Sequence, residues 1–144
     1  MARTVDLVGD RWSLLIVRDA MDGAATFTEF RDRLGIARNI LTDRLRRLVE
    51  HGILAQEPAP SGRRQTYVLT EAGEDLFTTV VALRQWGERH AFGAGEEHSV
   101  LVDERGAAVP ELRAVDGAGR PLGTRTTYVR KVSRSTGPRA GTAG

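Results

Sequence analysis

The sequence predicts a mainly α chain with one small β-hairpin, an α+β class ending in a short β-rich appendage, and three observations predict it. Leu41, Leu45 and Leu48 recur at i, i+4, i+7 within residues 37–51, the spacing of a helix with one buried stripe. Thr26-Phe27-Thr28-Glu29 is a capping box, so a shorter helix starts just upstream. After Gly52, residues 53–56 and 65–69 read as strands around a Pro/Ser/Gly cluster at 58–62, the pattern of a hairpin. Helix, glycine turn, helix and hairpin in that order is a winged helix-turn-helix.

The first element is predicted over residues 6–21, where Leu7, Trp12, Leu14, Leu15, Val17 and Ala20 make a helix apolar on more than one side, stopped at Asp22-Gly23. Such a helix needs two partners. The second helix, Phe27 to about Leu34, buries Phe27, Phe30 and Leu34 and stops at Gly35, which tolerates the left-handed conformation of a tight turn. The third helix is the one that would enter a major groove. Opposite its leucine stripe lie Asn39, Asp43, Arg46 and Glu50, flanked by Arg38, Thr42 and Arg47. Beyond the hairpin, Thr70 is an N-cap, and Leu76, Val80, Leu83 and Trp86 recur at helical spacing to about His90, with Phe77 and Val81 widening the stripe. That stripe exceeds the needs of one small core. It predicts a homodimer interface built from Leu7, Trp12, Leu76, Val80, Leu83 and Trp86, although for each tryptophan alone a place in the chain's own core accounts equally well for the pattern.

Charge points to a polyanion. From Ile36 to Arg64 there are six arginines against Asp43, Glu50 and Glu57, a local balance of +3 in a 144-residue chain of net charge +2. The expected partner is double-stranded DNA. Arg38, Asn39, Thr42 and Arg46 are expected at base edges or adjacent phosphates, Asn39 bidentate to adenine and Arg46 to guanine. Arg44, Arg47, Arg63 and Arg64 are expected on the backbone and in the minor groove, the last two on the wing. Thr26 and Thr28, at the start of the second helix, offer free backbone N–H groups to a phosphate. Asp43 would be repelled by DNA unless it accepts from cytosine N4 or orients Arg46 or Arg47, and of the two the orienting role is expected.

Other classes find less support. There is no cysteine, so neither disulfides nor thiolate metal sites are available. His51, His90 and His98 have no catalytic or ligand spacing, and the first two sit where a helix C-terminus favours a partly charged imidazole. Gly93-Ala94-Gly95 lacks the flanking strand and helix of a phosphate loop. We therefore expect no enzyme, cofactor or metal. With no long apolar run and no signal-type segment, the expected location is cytoplasmic, at the nucleoid, without membrane contact. The competing reading is a winged helix kept for protein interaction or ligand sensing, and the arginines on helix and wing argue against it.

The runs DLVGDRWSLLIVRDA, FTEF, LGIARNILTDRLRRLVEHGIL, RRQTYVLTEAG and LRQWGERH, over about Val5 to His90, resemble the HxlR family of bacterial winged helix-turn-helix regulators, relatives of MarR. The resemblance implies a dimeric transcription factor, most often a repressor, on an inverted-repeat operator. It also implies, for several members, a sensing cysteine before the first helix, where this chain has Met1-Ala2-Arg3-Thr4. Residues 1–92 are expected to form this domain, 93–132 a β appendage with strands near 98–102, 112–115 and 126–132, and 133–144 a disordered tail. The appendage is similar to a C-terminal extension with C-G and C-x-x-C-G motifs of a zinc ribbon, with Arg105, Val115 and Ala118 standing in place of cysteines. That makes a structural zinc unexpected. A small-molecule effector, if one exists, is expected between the first helix, the dimer helix and the appendage.

Overall fold

The computed structural model describes residues 1–59, 62 and 64–132. The described part of the chain contains α1 (Ala2–Val8), α2 (Arg11–Met21), α3 (Phe27–Leu34), α4 (Arg38–Glu50), β1 (Leu54–Pro58), β2 (Gln65–Leu69), α5 (Glu71–Glu74) and α6 (Phe77–His90). It is a winged helix with a two-stranded antiparallel wing. The chain forms two compact units, Met1–Leu112 and Arg113–Gly144.

Local signals set most boundaries. Thr26 accepts from the Glu29 N–H while the Glu29 carboxylate accepts from the Thr26 N–H, so both halves of the capping box form. α3 ends at Gly35 with φ +59°, a left-handed cap that a side chain would strain. Ala37 caps α4, whose Leu41, Leu45 and Leu48 are fully buried against Ile16, Val17 and Phe30. The wing pairs Leu54 with Leu69 and Pro58 with Gln65, and it is fastened to the body by a bond from the Tyr67 N–H to the Ala25 carbonyl, 2.7 Å. Tyr67 also meets Phe30 edge-on, with ring centroids 6.2 Å apart.

Three expectations change. The single helix expected over 6–21 is two helices, broken at Gly9-Asp10, because the Asp10 carboxylate caps α2 by accepting the N–H groups of Trp12 and Ser13. The helix beginning at Thr70 is likewise divided into α5 and α6, with Asp75 and Leu76 between. The three strands expected beyond residue 97 are absent from the described residues, which hold two isolated bridges there, Val102 to Ala108 and Val115 to Pro121. Each closes a tight Asp-x-x-Gly turn. Asp103 accepts the N–H groups of Arg105 and Ala107, and Asp116 those of Ala118 and Arg120, so a side chain takes bonds that a longer ladder would have made. Residues 93–112 belong to the first unit, fastened to α6 by Gln85, which donates to the Pro110 carbonyl at 2.9 Å and accepts from the Leu112 N–H at 2.8 Å. The expected tail at 133–144 lies outside the described residues.

Candidate nucleic-acid interface

α4 turns Arg38, Asn39, Thr42 and Arg46 to solvent, as its leucine stripe requires. The Thr42 hydroxyl donates to the Arg38 carbonyl at 2.9 Å, which leaves its oxygen as an acceptor and its methyl free for a groove. Asn39 makes no side-chain hydrogen bond among the described residues, so its amide edge is fully available. Arg46 is held on both sides, by Glu50 and by Asp43, each at 2.7 Å. Those two carboxylates, Glu50 foremost, raise its pKa above the ordinary value. Asp43 therefore sits where an orienting group would, and it also pairs with Arg44 at 3.1 Å.

Arg44 differs from its expected place. Its side chain is largely buried and lies 3.1 Å from Asp10 as an ion pair without the alignment of a hydrogen bond, so it ties α4 to the N-cap of α2. Burial pushes the Asp10 carboxyl up, but the Ser13 hydroxyl and N–H, the Arg44 charge and the Trp12 N–H outweigh it and hold the group below its ordinary range. Sequence reasoning missed this link. The signal was Asp10 itself, a capping residue two positions before Trp12.

The start of α3 and the wing meet around a cleft of about 250 Å³ lined by Thr26, Phe27, Thr28, Arg64, Gln65 and Tyr67. Arg38 lies over the Phe27 ring at 5.6 Å, so this one ring joins the start of α4 to the cleft. The capping box consumes the Thr26 N–H, leaving those of Phe27 and Thr28 without a partner among the described residues. Glu29 accepts from the N–H groups of Ala25 and Thr26, bonds that lower its pKa, and its charge sits at the same helix start. An anion there relies on Arg64 and the Thr28 hydroxyl to offset that repulsion. Arg47 is half-buried on the flank of α4, and Arg63 lies outside the described residues.

The HxlR-like helix-turn-helix family profile matches residues 7–93. The chain belongs to the HxlR-like helix-turn-helix family. It is 46% identical over 91 residues to the HTH-type transcriptional regulator Rv3095 of Mycobacterium tuberculosis, a match spanning 62% of this chain and 58% of that protein. The chain thus covers little more than half the length of the mycobacterial relatives it matches. The solved structure of PA1607, described as a candidate transcription factor, is similar with a TM-score of 0.87 and 48% identity, covering 91% of this chain and 93% of that one. The reduced form of the redox regulator HypR is similar at 32% identity with a TM-score of 0.57, over 62% of this chain and 91% of that one.

Several large apolar side chains of the HxlR-like body stay exposed. Leu83 and Trp86 on α6 are 52% and 57% exposed, Phe77 is 48% exposed and Leu7 on α1 is 37% exposed. Of the six residues expected at a dimer interface, Trp12, Leu76 and Val80 are partly buried and pack in part against the chain's own core, Trp12 under the Arg11 guanidinium at 4.8 Å. Among the described residues no three His, Cys, Asp or Glu side chains gather as a metal set, and no helix is long and apolar enough to cross a membrane. Thiol sensing of the kind the resemblance implied has no cysteine to act through in these 144 residues.

Proposed function

We propose that this HxlR-like chain is a sequence-specific transcriptional regulator, a non-enzymatic repressor that binds an inverted-repeat operator as a homodimer. One observation carries the reading: Phe27 stands between Arg38 at the start of the reading helix and the cleft edged by Arg64 of the wing, so base-reading and phosphate-gripping groups form one continuous surface. In the reading, α4 enters the major groove, where Asn39 and Thr42 meet base edges and Arg38 an edge or adjacent phosphate. Arg46 reads guanine only when a base competes with Asp43 and Glu50 for its guanidinium. Arg64, Thr28 and the free N–H groups at the start of α3 hold a phosphate of the same half-site.

Two-fold association is supported by Leu83 and Trp86, which share one side of α6 and are both more than half exposed, with Phe77 and Leu7 exposed as well. A symmetric dimer sets two reading helices about 34 Å apart, one turn of B-DNA, and so demands an inverted repeat. Selection of bound duplexes from random DNA tests both halves of the proposal. An inverted repeat with sedimentation at twice the monomer mass is the expected outcome. Recovery of unselected DNA, or a monomer at micromolar concentration, refutes it.

A further inference from the structure

A second cavity, of about 590 Å³, opens between α2, α6 and the segment that follows α6. Its volume falls in the range of small-molecule sites. Leu14, Leu15, Val80, Leu83 and Phe92 give it apolar walls, and Arg11, Arg18 and Arg84 bring three cations to them. Two of these are already balanced. Arg18 is paired with the buried Asp19 at 2.7 Å, and Arg84 with Glu88 at 3.1 Å, its other arm donating to the Ser99 hydroxyl at 2.6 Å. Arg11 has no carboxylate partner among the described residues; its guanidinium rests on the Trp12 ring, which leaves the N–H groups at its edge free to donate.

We propose that this cavity binds a small amphipathic monoanion, an aliphatic or aromatic carboxylate or sulfonate whose apolar body lies on the leucines and Phe92 and whose charge meets Arg11. Charge complementarity selects this occupant: three cations face two carboxylates, so one positive charge is left for a ligand. A neutral hydrocarbon would leave Arg11 unanswered, and a cation would be repelled. Arg11 directly follows Asp10, the carboxylate paired with Arg44 of α4, so the charged end of the ligand would lie one residue from the link to the reading helix. This binding goes beyond the DNA-binding reading, since none of its partners belongs to the DNA face; Leu83 is the wall residue it shares with the surface proposed for the dimer, and dilution to monomer in the test below separates the two.

The test uses the full chain with the fluorescent probe anilinonaphthalene sulfonate, displaced by decanoate, decanol or decylammonium, and with thermal stabilisation by decanoate as a second readout. Decanoate is expected to displace the probe at least tenfold more tightly than decanol or decylammonium. R11Q is expected to weaken decanoate about tenfold, as loss of one charge-assisted hydrogen bond does, while R11K restores part of it and decanol is unaffected. F92S, at an exposed position outside any helix, is expected to weaken all three. Equal affinity for decanol and decanoate, or unchanged decanoate affinity in a folded R11Q, overturns the proposal. So does affinity that rises as the protein is diluted to monomer, which assigns the cavity to a second copy of the chain. Because operator binding is not part of the readout, failure here leaves the DNA-binding reading to its own experiment.

Discussion

Replacing Asn39 and Arg64 by alanine separates reading from gripping. Asn39 has a free amide on the outer face of α4, whereas Arg64 lies at the cleft beside the start of α3, so under the proposed function the first meets a base and the second a phosphate. Loss of one phosphate contact in each protomer lowers the salt slope by about 1.8, at about 0.9 per contact. Between about 50 and 200 mM salt, a fourfold change, the wild-type protein then loses about 12-fold more affinity than R64A does, on any DNA sequence. N39A should leave that slope unchanged and cost about 1–3 kcal/mol per half-site on the selected operator, with little effect on random duplex. Fluorescence anisotropy titrations on operator and random duplexes at several salt concentrations measure both quantities. A lower salt slope in N39A, or altered base preference in R64A, would show the two roles to be reversed.

Three further outcomes follow from the geometry. A Cβ at Gly73 would lie 2.3 Å from the Ile53 carbonyl oxygen and 2.9 Å from Leu69 Cδ2, at the junction where Thr70 N–H bonds that same carbonyl. Overpacking of this kind costs about 1–3 kcal/mol and outweighs the helix-propensity gain of about 1 kcal/mol once a hydrogen bond is also disturbed, so G73A should melt roughly 5–15 °C lower by circular dichroism. Asp10 and Glu29 have folded pKa values below their unfolded ones, so their contribution is complete above the ordinary carboxylate range and is lost as pH falls through the folded values. Stability should hold from neutral pH to about 5 and decline below about 4, and D10N should flatten that decline in denaturant titrations across pH. Finally, Arg105, Val115 and Ala118 supply no thiolate, so chelator should leave the melting temperature unchanged and purified protein should carry no stoichiometric zinc by elemental analysis.

Much of the body was legible in the sequence because its signals are local. The Thr26–Glu29 capping box, the left-handed Gly35, the leucine spacing of α4 and the Thr70 cap each depend on hydrogen bonds or side-chain periodicity within four residues of chain, and each forms as expected. The break at Gly9-Asp10 was equally local, but the surrounding apolar residues masked it. Sequence alone fixed which arginines lie on the outer face of α4. Helical phase puts Arg46 opposite the leucine stripe and Arg44 close beside it, but it says which way a side chain points and not what stands opposite. The tertiary structure decided that, drawing Arg44 inward to Asp10 and leaving Arg46 outside between Asp43 and Glu50. It also separated two tryptophans that looked alike in sequence, packing Trp12 on the core and leaving Trp86 exposed. The juxtaposition of Arg64 with the start of α3 joins residues nearly forty positions apart, and the cavity beside Arg11 joins α2 to residues near position 99. Local hydrogen bonding and periodicity determine the elements one by one, but which of their faces meet is settled only when burial of apolar surface packs them together.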